Sequence, residues 1–105
     1  MGLEIYWTEF AERELENIFE YYLEHASPEI AEKITSGILN STDKLKENPE
    51  IGPIEQRLKN RPQGFRFINY KRYKIIYWIN KDENRVEIND VFNTRQDPVE
   101  MERNE

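Results

Sequence analysis

The chain has 105 residues, 37% hydrophobic, 34% charged and 12% aromatic, a length for one domain and an aromatic content that argues against disorder. It holds no cysteine and a single histidine, His25, which excludes disulfide scaffolds, thiolate metal sites, cysteine nucleophiles and any histidine pair acting as acid and base. The net charge of −6 and a pI near 4.9 weigh against a general polyanion binder.

Leu3-Glu4-Ile5-Tyr6-Trp7 alternates and is rich in strand formers, which predicts a short first strand. Thr8 then suits a helix N-cap, and Glu9 and Glu12 favour the positive end of a helix dipole. From Glu9 to about Glu24, Ala11, Leu15, Ile18 and Tyr22 form an apolar stripe that Phe19 and Leu23 widen, while Glu12, Glu16, Glu20 and Glu24 line a solvated face. His25 falls at the helix end, where a cation suits the dipole. Ser27-Pro28 starts a second helix, whose stripe of Ile30, Ala31, Ile34, Ile38 and Leu45 predicts that it runs to Asn48-Pro49. So short a connection predicts an antiparallel helical hairpin.

Residues 48–53 read as loop, because two prolines and a glycine break both periods. After Gly64 the period becomes two. Residues 65–69 form a strand, 70–72 a turn, and 73–79 a strand that is apolar on nearly both faces and therefore central. Residues 81–84 form a hairpin turn and 85–92 the last strand, whose alternation slips near Asp90–Val91 as at a bulge. After Pro98 the sequence is acidic and reads as a frayed end or short helix. The expected fold is α+β, in the order β-α-α-β-β-β, with the hairpin on one face of a mainly antiparallel four-stranded sheet. The domain spans 1–98 and an acidic tail spans 99–105. No apolar run reaches the roughly 18 residues of a membrane span. The N-terminus does not read as a signal peptide, and the expected location is the cytoplasm.

Charge is uneven. Residues 1–35 carry nine acids and two bases, whereas residues 61–95 carry eight bases and four acids. The basic block coincides with the strands, where a local patch can guide a polyanion even on an acidic chain. The plainer account is an acidic helix face and a mixed sheet, both ordinary solvated surface.

Several stretches occur in an order that resembles a known family. They are Ile5-Tyr6-Trp7-Thr8 leading into Ala11 and Leu15, Ser27-Pro28, Leu45 with Asn48-Pro49 and Ile51-Gly52, and Gly64-Phe65-Arg66. Tyr73-Lys74-Ile75-Ile76-Tyr77 and Val91-Phe92-Asn93-Thr94-Arg95-Gln96-Asp97-Pro98 complete the set. Together they resemble the RelE/ParE toxins of type II toxin–antitoxin (plasmid stabilisation) systems over about residues 3–98. The resemblance implies a growth-inhibiting cytoplasmic toxin neutralised by a cognate antitoxin, as a homodimer or as a hetero-oligomer with that antitoxin. Its target would be DNA gyrase in the ParE-like branch, or mRNA on the ribosome in the RelE-like branch, where the protein is an endonuclease. A third reading is a non-toxic interaction module of the same fold.

Cleavage of RNA needs a base for the 2′-hydroxyl, cations for the pentavalent phosphate and an acid for the leaving oxygen. By resemblance, Lys74 stands where nuclease members carry an arginine, Arg95 matches an arginine after the last strand, and Arg66 lies in the Phe-Arg-Phe pattern of ParE-like members. These three are the candidate catalytic residues if the chain is a nuclease, with Lys59 and Arg61 as further cations. Lysine keeps the charge but loses the fork that grips a phosphate. No His or Tyr follows Tyr77, so the usual acid or base near the end of the fold is missing. Arg66 reads equally as a surface cation for a partner and as a salt bridge to a helix acid. Lys74 reads also as a solvated strand lysine, and Arg95 as a structural cap. Tyr73 and Tyr77 share one strand face and read as core rather than as a base-stacking platform. Trp7 and Trp78 read as core or sheet cover. No metal or cofactor is implied. These features favour the ParE-like branch.

Overall fold

Local signals set the helix starts. Thr8 accepts the N–H of Ala11 at 3.1 Å and opens helix α1, Glu9–His25. Ser27 accepts the N–H of Ile30 at 3.2 Å and opens helix α2, Pro28–Ser41. His25 ends α1 with Nδ1 at 2.9 Å from the carbonyl of Tyr21 and its ring stacked on that tyrosine. The computed structural model describes residues 2–95. The acidic segment expected after Pro98 lies outside them.

The expected length of α2 is corrected. The helix stops at Ser41, and a 3-10 helix over Asp43–Lys46 follows. Asn40, Ser41, Thr42 and Asp43 are weak helix formers because their side chains compete for local backbone. Accordingly, Ser41 donates to the carbonyl of Ile38 and Thr42 to that of Leu39, each at 2.7 Å. The tighter turn still delivers Leu45, which is fully buried. Leu23 and Ile30, expected on the apolar stripes, are exposed instead and flank the hairpin turn.

The strands are β1 (Glu4–Trp7), β2 (Arg66–Tyr70), β3 (Tyr73–Asn80) and β4 (Arg85–Asn93). Their order across the sheet is β1-β4-β3-β2, with β1 parallel to β4 and the other pairs antiparallel. β3 is central, as its two apolar faces require. Lys71 and Asn84 take positive φ in the two turns. The ladder between β3 and β4 skips from Ile76↔Asp90 to Tyr77↔Ile88, so the bulge falls at Asn89, one residue before the expected place. The extra residue keeps Ile88 and Val91 on the same face although they are three apart.

That face carries the main core. Ile68, Tyr73, Ile75, Tyr77, Val86, Ile88 and Val91 meet Ala11 and Ile38 of the helices, and Trp7 packs at the margin. Among the described residues no α-helix covers the opposite face. Leu58, Phe65, Ile76 and Phe92 form a smaller cluster there, against which Phe67 and Trp78 pack, partly buried. Two faces and two kinds of cover position every candidate residue.

Candidate functional site

Strand parity separates the expected cations. Arg66 pairs with Tyr77 across β2 and β3, so both point to the helix side, whereas Lys74 shares the open face with Ile76 and Trp78. Arg95 follows β4, where its backbone N–H donates to Asn93 Oδ1 at 3.0 Å. Its side chain lines a groove of about 570 Å³ with Tyr21, Tyr22, Arg72 and Tyr73 on the helix side. The structure thus spreads Lys74, Arg66 and Arg95 over three places and forms no single cationic pocket from them.

Particular contacts hold Arg66 and Lys74 in place. Arg66 Nη1 donates to the carbonyl of Gly52 at 2.7 Å and to that of Glu50 at 3.3 Å. Among the described residues it meets no helix carboxylate, so it anchors a loop rather than the hairpin. Tyr77 holds the same loop. Its hydroxyl donates to the carbonyl of Pro49 at 2.6 Å and accepts the N–H of Gly52 at 3.0 Å. A Cβ on Gly52 would lie 2.2 Å from the carbonyl oxygen of Phe67 and 2.8 Å from the Tyr77 hydroxyl, so only glycine fits there.

Lys74 is engaged too. Its Nζ lies 2.7 Å from Glu55 Oε1 and 4.1 Å from the centre of the Phe67 ring. Its side chain is 20% exposed and that of Glu55 4%. Lys74 is therefore neither a solvated strand lysine nor an unpaired cation. Glu55 carried no signal as a site residue, because nothing in the irregular stretch 54–62 fixes which strand it meets. Of the further cations, Lys59 is exposed and Arg61 half-buried on that same stretch.

The Arg95 groove is aromatic. Tyr73 donates from its hydroxyl to that of Tyr22 at 3.0 Å, and Tyr21 meets Tyr22 edge to face. Burial first, and then this bond, raise the Tyr73 phenol above its ordinary value. Burial also raises Tyr77, against the backbone bond from Gly52, which pulls it down. Neither phenol is poised as a base near neutral pH. Both are core residues, as the sequence implies, and their hydroxyls are bonded to other groups of the protein. Among the described residues no group of His, Asp and Glu could hold a metal ion, and no helix is long and apolar enough to cross a membrane.

Comparison with known proteins completes the picture. The family model described as ParE toxin of type II toxin–antitoxin system, parDE, matches residues 5–98. No curated relative matches the chain at the sequence level. Among solved structures, the chromosomal ParDE toxin–antitoxin system from P. aeruginosa superposes with a TM-score of 0.72 at 17% identity, covering 88% of this chain and 96% of that one. The toxin–antitoxin complex RelBE2 from Mycobacterium tuberculosis gives 0.60 at 17% identity, covering 89% and 99%. A free arginine-to-alanine mutant of the E. coli toxin RelE gives 0.52 at 16% identity, covering 97% and 94%. At these identities the structural likeness is one of fold.

Proposed function

Because the chain belongs to the family of ParE toxins of type II toxin–antitoxin systems, we propose that it arrests growth by binding its target rather than by cutting RNA. DNA gyrase is the proposed target, in the cytoplasm, with a cognate antitoxin as the neutralising partner. One observation carries the choice of binding over cleavage. Lys74 is tied to Glu55, Arg66 is spent on the carbonyls of a loop, and Arg95 sits apart in an aromatic groove. A phosphate in its transition state needs several cations converging on one point. The partner reading draws on the ParDE and RelBE2 structures, which are those of toxin–antitoxin systems.

The test is induced expression in a bacterial host, with primer extension on a reporter mRNA and a gyrase supercoiling assay run in parallel. The expected outcome is growth arrest with lost supercoiling and intact mRNA. Arg95→Ala is expected to leave mRNA integrity unchanged. Arrest with ribosome-dependent cuts that Lys74→Ala or Arg95→Ala abolishes would replace this reading with the endonuclease. A soluble protein that causes no arrest would leave the non-toxic interaction module.

A further inference from the structure

Residues 51–81 contain eight basic side chains and a single acid, Glu55. That one acid is buried against the lysine of the open sheet face. Its placement does not depend on Lys74 alone. The Glu55 N–H donates to the carbonyl of Phe65 at 2.8 Å, and its Oε2 accepts the N–H of Arg57 at 3.1 Å. One carboxylate oxygen therefore caps the 3-10 helix Gln56–Leu58, while the other reaches the ammonium.

Around this pair lie the parts of a nucleic-acid platform. Phe67 lies beneath the Lys74 ammonium, and Trp78 is on the same face two positions beyond Ile76, both only partly buried. Arg57 and Lys59 follow on the covering segment, and both are exposed. Sheet faces bind single-stranded polynucleotides by stacking bases on such rings and setting phosphates on neighbouring cations. Here a phosphate oxygen would have to compete for Lys74 with a buried carboxylate that the backbone holds in place.

We propose that Glu55 is the specificity-determining residue that closes this face to single-stranded polynucleotides, an internal carboxylate standing where a phosphate oxygen would otherwise sit. The proposal rests on reading the chain as a binder rather than a nuclease. It adds the device by which Lys74 and the rings beside it are kept from RNA.

Fluorescence anisotropy of the full chain with a labelled oligouridylate of about twelve nucleotides tests it. Glu55→Gln, or Glu55→Asn if the first variant does not fold by circular dichroism, is expected to tighten binding roughly threefold or more at about 50 mM salt and to steepen the log–log salt slope by about 0.7 for each phosphate newly engaged. Glu83→Gln removes the same charge from an exposed hairpin turn and is expected to gain less. The double variant Glu55→Gln/Lys74→Gln keeps the net charge of the natural chain and is expected to match its affinity.

No gain in the folded single variant overturns the proposal, as does an equal gain in Glu83→Gln. A double variant that binds more weakly than the natural chain also overturns it, since Lys74 would then be engaging phosphate despite Glu55. Tight binding or cutting of the oligonucleotide by the natural chain is a different result. It would count against the binding-only reading itself, whatever the variants did.

Discussion

The two faces of the sheet are built by opposite means. Under the helices, Tyr77, Ile75, Val86 and Ile88 are wholly buried, and the polar atoms among them, such as the Tyr77 hydroxyl, are bonded to backbone. On the open face, a cluster of four buried apolar residues is ringed by Lys74 with Glu55 and by Arg85 with Glu87 and Asn80. A helical hairpin supplies enough apolar surface to close a face by burial alone. A short irregular segment does not, so charge pairs and long side-chain stems complete the cover. The helix face therefore closes by burial, and the open face closes in part through charge pairs.

The largest expected effect tests the first half of that contrast. Ile88→Ala removes a fully buried side chain from the middle of β4 and should destabilise the fold by about 4 kcal/mol in urea unfolding. Phe67→Ala, on the open face and partly exposed, should cost about half as much. Equal losses would mean that the two faces are not energetically distinct. Gly52→Ala belongs with the large effects, at roughly 3 kcal/mol, because its Cβ would meet the backbone carbonyl of Phe67, which cannot swing aside as a side-chain tip can.

Tyr77→Phe sharpens the comparison by changing one atom. It deprives the buried N–H of Gly52 and the carbonyl of Pro49 of their shared hydroxyl, for a loss of about 2 kcal/mol. A pH series probes the same face. Tyr73 and Tyr77 both have phenols raised in the folded state, while in the unfolded chain they ionise near pH 10. Above that pH the unfolded chain binds fewer protons than the folded one. Stability is thus fully present below about pH 9 and falls as pH climbs past 10 toward the raised folded values. Urea midpoints at pH 8, 9.5 and 11 should show that fall, and Tyr73→Phe should flatten it. A midpoint constant to pH 11 would contradict the assignment.

How much of this was legible in the sequence follows from the distance over which each cause acts. The caps at Thr8 and Ser27 and the apolar run of β3 act over short stretches of sequence, and the sequence locates them directly. The end of α2 was missed although its cause is local. The apolar spacing of Ile38 and Leu45 fits one continuous helix, and the hydroxyls of Ser41 and Thr42 override it. The fates of the three cations were not legible. Lys74 meets Glu55 19 residues away, Arg66 meets Gly52 14 residues away, and Arg95 lines a groove with Tyr21 and Tyr22 of the first helix. Glu55 and Gly52 lie in loop or irregular sequence, where no periodicity predicts which side chain faces which strand.

The smallest expected effect lies at the rim of the open face. The Arg85 guanidinium sits 3.9 Å over the Tyr6 ring and bonds Glu87 at 2.8 and 2.9 Å. The first of these should matter little, because Tyr6 is 41% exposed and water competes for both partners. The second should matter more, since Glu87 is nearly buried, yet Asn80 also donates to the same oxygen at 3.0 Å and remains if Arg85 goes. Arg85→Lys should therefore shift the unfolding midpoint less than Arg85→Gln, because lysine keeps the charge for Glu87 and loses only the fork and the stack. Both shifts should shrink in about 1 M salt, where exposed charges are screened within about 3 Å. A salt-insensitive loss in Arg85→Gln would instead mark the rim pair as part of the core, and the open face as closed by packing after all.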